Sequence, residues 1–546
     1  MKPQDRTVVD ARRLAGIRQR LKRRELTEED YALLDGMIET WQYFCSAVES
    51  KTLTIKRLQR ILFGPSTEKT EKLLNKANKR NKSPPDGAAA KGKAKGHGHH
   101  GIDSYWGAKR VRVMRQSLKV GDRCSLCGKG TLYELKTPSR VVVFRAEAPI
   151  QATVYERQRL RCSACGAVFT AELPEEAGAE KYDASAGSMV ALLKYGNGFP
   201  FYRLQQLQKS VGVPLPVAVQ WELVKQKAEV LLPVWEELLR EAAQGEVLHN
   251  DDTYVTILQL LKDRSCAFEP ADGGQPGNAA ERSGMFTTAI VSSTEERRPI
   301  ALFHSGIKHA GENIAELLRL READRDAPIL MCDALSRNVP KAFPVILANC
   351  LAHGRRQFVD LIEAFPAECE YVLEIFKDVY LHDKRTKQLG LSAQKRLAYH
   401  QSHSKPLMDE LHAWLNNQFE EKKVEPNSSL GEAISYMLRH WEALTQFLRV
   451  PGAPLDNTVC ERTLKRAILN RKNSLFYKTC NGAEVGDILM SVIYTSILSK
   501  TNPLEYLTET EKHAGEVAEN PQAWLPWNYL NTIEAANAPA VKTLPA

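Results

Sequence analysis

No stretch of this 546-residue chain approaches the ~20 consecutive apolar residues that a membrane span requires, so no transmembrane helix and no membrane partner are expected. The opening residues, MKPQDRTVVDARRLAG, lack the apolar core of a secretory signal, and the cytoplasm is therefore the expected location. No internal repeat is evident, which argues against a solenoid. Acid is scarce at the front. Residues 1–123 hold 28 Lys and Arg against 14 Asp and Glu, whereas the other 423 residues hold 47 against 52. A basic front on a near-neutral body suits a polyanionic partner, although a solvated, solubilising arm would look the same. Large apolar residues are nearly missing from 75–104, NKANKRNKSPPDGAAAKGKAKGHGHHGIDS, so this stretch cannot bury a core and reads as a disordered basic linker.

What is present fills about three or four domains by length. Residues 1–74 read as a helical or coiled-coil region, with Tyr31, Leu34, Met37, Trp41, Phe44 and Val48 forming an apolar stripe at helical steps. Thr27 and the acids at 28–30 mark a helix start. The stripe serves either self-association or packing within its own domain. Eleven cysteines include two tight pairs, Cys124-x-x-Cys127 and Cys162-x-x-Cys165. Without an export signal these read as zinc knuckles rather than disulfides. Four thiolates close a tetrahedron, so a single structural Zn2+ in a ribbon over 105–178 is expected, either touching DNA or bracing its neighbours. Residues 179–243 are helical and contain helix, Gly turn and helix at the spacing of a helix-turn-helix.

From 244 to 500 the pattern changes. EVLHNDDTYVTIL, GMFTTAIVSS and RPIALFHSG succeed one another with no helix expected between them, suggesting an antiparallel meander. An amphipathic helix, GENIAELLRLREA, then leads to APILMCDA and PVILANCLAH. A meander running into β-α-β is the strand order of a ribonuclease-H-like core. Residues 355–450 read as a helical insertion, 455–500 as further helix, and 501–546 as a C-terminal tail. The fold expected is thus multidomain α+β around an α/β core.

Three separated acids interrupt this pattern: Asp251, Asp333 and Glu461. Two of them sit in apolar strand-like runs, where an unpaired charge costs several kcal/mol. Carboxylates grouped without bases hold divalent cations, which points to phosphodiester chemistry with two Mg2+ (or Mn2+) at one site. Each has a blander reading: a turn or cap residue for the aspartates, a surface pair with Lys465 for Glu461. Asp251 and Asp252 alternate across a strand, so only one can be the ligand, and the sequence leaves both open. Cys350 and His353 close the fifth expected strand, as a buried thiol with a hydrogen-bonded imidazole or as two metal ligands. Arg355 and Arg356, and the group Arg462, Lys465, Arg466, Arg471 and Lys472 behind Glu461, are candidate DNA-backbone contacts, against a solvated helix face.

The ordered series RLQRILFGPSTEK (57–69), the ribbon cysteines, LLKYGNGFPFYR (192–203), LHNDDT (248–253), FHSGIKHAGENIAELL (303–318), CDALSRN (332–338), CLAHGRRQF (350–358), DNTVCER (456–462), NRKN (470–473), NPLEYL (502–507) and LPWNY (525–529) resembles transposases of the insertion sequence 66 family. The resemblance implies a DDE-type, ribonuclease-H-like catalytic domain, with Asp251, Asp333 and Glu461 as the triad and Cys350–His353 as a CxxH motif. It implies a bacterial, nucleoid-associated enzyme that cuts transposon ends and joins the freed 3′-OH to target DNA. The partners so implied are double-stranded DNA, further copies of the chain and small accessory transposition proteins. A silent DNA-binding derivative and a nuclease that cuts without joining are the competing readings. Two departures stand out: Asp252 where many members have Glu, and the long segment 262–283.

Overall fold

The computed structural model describes residues 180–262, 284–293 and 299–537, with 148–161, 168–175 and a few positions before residue 123. The four expected zinc ligands, the linker, the long 263–283 segment and most of the N-terminal stripe lie outside the described residues. Residues 1–83 form a compact unit of their own. Within it, the Asp30 amide donates to Thr27 Oγ1 (3.3 Å) and the Thr27 amide to Asp30 Oδ2 (3.1 Å), a reciprocal cap at the expected helix start. Two short strands, β1 (Arg159–Arg161) and β2 (Val168–Thr170), pair antiparallel on either side of the second cysteine knuckle.

Both strands belong to the larger unit, residues 84–546, which continues with α1 (Ala184–Ala191), α2 (Phe201–Ser210) and the 27-residue α3 (Val217–Ala243). A π-helical turn, Leu192–Gly196, follows α1 and ends the run. Pro200 and Pro216 stand just before α2 and α3, where a missing amide costs nothing. The stripe Val224, Leu231, Val234 and Leu238 on α3 is fully buried in the same apolar core that holds the central sheet. The helices of 179–243 therefore share a core with that sheet, rather than standing off as a separate module.

The sheet has five strands: β3 (Val247–Tyr254), β4 (Phe286–Ser293), β5 (Ile300–Gly306), β6 (Ile329–Cys332) and β7 (Ile346–Asn349), in the spatial order β5-β4-β3-β6-β7. The first three form the antiparallel meander; β6 runs parallel to β3 and β7 parallel to β6. One detail departs from expectation. Strand β3 stops at Tyr254, and a short helix, α4 (Leu258–Lys262), intervenes before β4. The connection to β6 runs through α5 (Ala310–Leu318), whose Gly311 approaches the carbonyls of Arg337 and Val339 so closely that a Cβ would lie 2.7 and 2.6 Å from them.

After β7 the chain is helical: α6 (Leu351–Leu361), α7 (Pro366–Gln388), α8 (Ala393–His403), α9 (Lys405–Glu420), α10 (Ser429–Arg439) and α11 (Trp441–Leu444). It returns to the sheet as α12 (Thr458–Ser474) and α13 (Cys480–Leu498). Edge strand β5 is sealed by α13. Thr495 Oγ1, Ser491 Oγ and Asp487 Oδ2, at four-residue steps on one stripe, accept the amides of Ala301 (3.1 Å), Phe303 (2.9 Å) and Ser305 (2.5 Å). Side chains thus occupy bonding positions that another strand would otherwise take.

The expected tail is structured. Helices α14 (Pro503–Lys512), α15 (Ala514–Glu519) and α16 (Tyr529–Asn537) come next, and Tyr506, Trp524 and Tyr529 are among the largest fully buried side chains. Three large rings in a short segment supply the apolar area that a loose tail would lack. Among the described residues no helix is long and apolar enough to cross a membrane.

Candidate active site

Strand β3 has two chemically distinct faces. His249, Asp251 and Thr253 alternate onto the side that meets α12. There His249 Nδ1 contacts Asn457 Oδ1 (3.0 Å), and Arg471 donates to Thr253 Oγ1 (2.9 Å). Asn250 and Asp252 point to the other side. Asn250 Nδ2 donates to the Asn338 carbonyl (2.8 Å), and Asp252 Oδ2 accepts the Ala310 amide at the start of α5 (3.2 Å). The Asp252 side chain is 1% exposed and also lies 3.7 Å from both Arg337 and His309. An anion at a helix N-terminus, beside a guanidinium, is a stable anchor.

Asp251 is placed differently. The parallel register pairs Leu248 with Leu330 and His249 with Met331; two residues further along each strand stand Asp251 and Asp333. Adjacent strands are ~4.8 Å apart, so both acids sit together where the pairing ends. Glu461 arrives from above, in the first turn of α12. The Asp251 carboxyl is pushed up to about 7, first by burial, then by the charge of Asp333, with Asp252 and Glu461 adding to it; the Asp252 amide on Asp251 Oδ1 (2.8 Å) opposes the rise. The charges of Asp333 and Glu461 thus both reach Asp251, but among the described residues the three acids do not form a group with ligand atoms all within 4.8 Å of one another; the group that does is Cys350, His353 and Glu461. Glu461 forms no pair with Lys465 among the described residues; its carboxylate lies 4.0 Å from His353 Nδ1.

Asparagines build the frame of this site. Asn338 Nδ2 donates to Asp333 Oδ1, and Leu335 N reaches the same oxygen (3.4 Å). Asn457, buried at the start of α12, donates its side-chain amide to the Asn250 carbonyl (2.8 Å) and its backbone amide to Cys350 Sγ (3.2 Å). Together with its His249 contact, one residue joins β3, the start of α6 and the helix that carries Glu461. His249 is neutral in this setting, its pKa lowered to about 4 by burial. Sequence reading passed over His249, Asn338 and Asn457, yet Asn457 lies inside the DNTVCER segment, four residues before the Glu.

Cys350 and His353 sit at the start of α6, since β7 ends at Asn349 rather than running through them. Ligand atoms of Cys350, His353 and Glu461 all lie within 4.8 Å of one another, a group able to hold an ion. Burial raises the Cys350 thiol to about 12, so it would have to give up its proton to ligate.

The expected cations divide. Arg355 is buried; Arg356, Arg462, Lys465 and Lys472 are exposed. Arg466 donates to the Gly196 carbonyl (2.9 Å) and lies over the Tyr494 ring, while Arg471 also holds the Tyr254 carbonyl (2.7 Å). Buried Lys194 binds Asn470 Oδ1 (2.8 Å), and Asn473 Nδ2 donates to the Gly198 carbonyl (2.9 Å). The LLKYGNG and NRKN segments, 276 residues apart between Lys194 and Asn470, are therefore two halves of one docking joint.

A mixed sheet with a meander and a parallel crossover, with acids on its central strands and on the helix that covers them, defines the class: a mixed α/β protein with an acid-lined candidate site. The chain belongs to the IS66 transposase family, whose model matches residues 181–485, a span holding all three acids. It is similar to uncharacterized protein y4hP of Sinorhizobium fredii (strain NBRC 101917 / NGR234), with 25% identity over 440 residues covering 76% of this chain and 74% of that protein. Uncharacterized protein y4jD of the same organism is 27% identical over 421 residues, covering 74% and 78%.

Proposed function

We infer that this chain is a DDE-type DNA transposase whose ribonuclease-H-like core cuts transposon ends and joins the freed 3′-OH to target DNA. The observation that carries the reading is the placement of Asp251 and Asp333 on neighbouring parallel strands where their pairing ends, with Glu461 in the first turn of α12. A buried carboxylate beside other acids is suited to a bound cation, and hard carboxylate oxygens suit Mg2+ or Mn2+. Such a pair of ions, when bound, would activate the attacking oxygen and stabilise the leaving one.

The chain's own residues do the remaining work. Asp251 and Asp333 supply ligand oxygens from neighbouring strands, and Glu461 supplies one from α12. Asn338 fixes one Asp333 oxygen and leaves the other free. Asn457 sets the helix start against β3, so the third carboxylate has a defined height over the sheet. Asp252 keeps to its anchor on α5, which leaves Asp251 as the first ligand. Exposed Arg356, Arg462, Lys465 and Lys472 border the site and neutralise DNA phosphates. The chemistry needs no nucleophilic side chain and no covalent protein–DNA intermediate. Double-stranded DNA, further copies of this chain (two ends are cut together) and small accessory proteins are the partners in this reading. A structural Zn2+ on Cys124, Cys127, Cys162 and Cys165 completes it.

The test is incubation of the purified chain with DNA carrying the element's own terminal repeats, plus Mg2+ or Mn2+ and a target plasmid. Cleavage and joining are expected, and Asp333→Ala should abolish both. Full activity of Asp333→Ala would sink the assignment. Cleavage without joining of a pre-cut end would identify a nuclease, and binding without cleavage a silent derivative.

A further inference from the structure

Away from the acids, α7 and α8 form a hairpin that turns at Gly390 (φ 60°). Its outer side holds a cleft of 660 Å3 lined by His382, Lys384, Arg385, Gln388, Tyr399 and His403, with exposed leucines at its rim. Residues 377–405 contain seven Lys and Arg and only two acids, Asp378 and Asp383, within a C-terminal body that is slightly acidic overall. One of those acids is spent internally. Asp383 is buried between the two helices, 2.6 Å from Lys387, 3.5 Å from Arg396 and 3.7 Å from His400. Burial pushes its carboxyl up, but His400 and the two cations outweigh that and hold it below the ordinary range.

The cleft is also prebuilt. Ser404 Oγ bridges His382 Nδ1 (3.1 Å) and His400 Nδ1 (2.9 Å), tying the two helices at its floor. Tyr399 and His403 stack with their rings 4.1 Å apart and 9° from parallel, and His382 meets both edge-on. Lys384 and Arg385 are exposed at the wall and make no ion pair among the described residues. Two unopposed cations beside a rigid aromatic stack match the chemistry that tracks a nucleic-acid strand: cations for phosphates, ring faces for bases.

We propose that this cleft is a DNA-backbone site on the helical insertion, in which Lys384 and Arg385 neutralise neighbouring phosphates and the Tyr399–His403 stack lies against the strand. It rests on the DNA-transposase reading and adds to it a contact remote in sequence from the catalytic acids. The test uses the full chain with Lys384→Glu/Arg385→Glu, and Lys422→Glu/Lys423→Glu as a control of equal charge change elsewhere on the insertion. Binding to duplex and to single-stranded oligonucleotides is titrated across salt concentrations. The cleft variant should bind at least tenfold more weakly than the control, and its plot of log affinity against log salt should be shallower by roughly two. A larger loss on duplex or on single strand names the form of DNA held, and either supports the site. Tyr399→Ala should weaken single-strand binding if bases stack there, and an unchanged melting temperature for each variant keeps the comparison one of binding. Wild-type affinity and salt slope in the cleft variant, or equal loss in the control, overturns the site while metal-dependent cleavage by the wild type leaves the enzyme reading intact. A wild-type chain that binds no DNA at all overturns both.

Discussion

Asn457 has more to do than any other uncharged residue near the acids. It satisfies His249, the Asn250 carbonyl and Cys350 Sγ at once, all of them buried. Asn457→Ala leaves buried polar groups without partners, at about 1–3 kcal/mol, and frees the first turn of α12. We expect a lower melting temperature and a cleavage rate reduced by ten-fold or more, with DNA affinity nearly unchanged. Equal losses in affinity and rate would show general unfolding instead. Asp487 offers a pH signature. Burial raises its carboxyl to about 7, against the bonds from Ser305 that favour the charged form. A raised carboxyl contributes stability that is full below the unfolded pKa, near 4, and is lost as pH climbs through 7. The stability of Asp487→Asn relative to the parent should therefore grow between pH 5 and pH 8, measured by thermal melts without divalent metal. The same sign applied to Asp251 means that Mg2+ binding displaces a proton near neutrality, so metal affinity should rise with pH. At this scale Asp251 and Asp333 were legible because charge in an apolar strand is conspicuous, whereas Glu461, on a helix, stood out only through the family resemblance. The asparagines were not, because an Asn reads as a turn residue wherever it stands and only its partners reveal otherwise.

Elements were legible where period and punctuation agreed. The meander, the α5 crossover and the helical insertion followed from alternating runs, an amphipathic stripe and proline starts. The short α4 begins where the strand-like run ends: the β-branched Thr253, Val255, Thr256 and Ile257 carry the apparent strand past Tyr254, and the five helical residues LQLLK are too few to show a period. Cys350 and His353 were assigned to a strand for the same reason: the apolar run continues past Asn349 while the backbone turns helical. Packing sets a sharper constraint at Gly311. A methyl there would collide with two backbone carbonyls of the segment that carries Asn338, and backbone cannot swing away. Gly311→Ala should cost about 1–3 kcal/mol and lower cleavage, because the shift would propagate to the oxygen of Asp333 that Asn338 holds. A melting curve and a cleavage assay on the same preparation would show whether the two losses move together.

Over the whole molecule, the packing of one segment against another was the least legible feature. Linker-like stretches show in a sequence, but a shared core does not. Helices at 184–243 and 503–537 both close on the apolar cluster that holds the sheet, and buried Lys227 bonds the Leu507 carbonyl (2.7 Å) and pairs with Glu511 to fasten one to the other. Removal of residues 503–537 should therefore give an aggregating protein that exposes apolar surface to a fluorescent dye, rather than a trimmed but active one. A soluble, cooperative melt from that truncation would contradict the shared core.

One property of β3 reaches beyond its local bonds. Two like acids stand side by side on a strand whose faces alternate, one committed to a helix terminus and the other turned to the candidate site. Their roles are assigned by parity alone. A deletion of one residue between Val247 and Asn250 would bring Asp252 to the place of Asp251 and Thr253 to the anchor, and an insertion would bring Asp251 to the anchor and Asn250 to the place of Asp251, so either would leave one of the two places without its acid. Evolution of this site thus has a forbidden step: changes upstream in the strand can come as substitutions, but a shift would rewire both faces together.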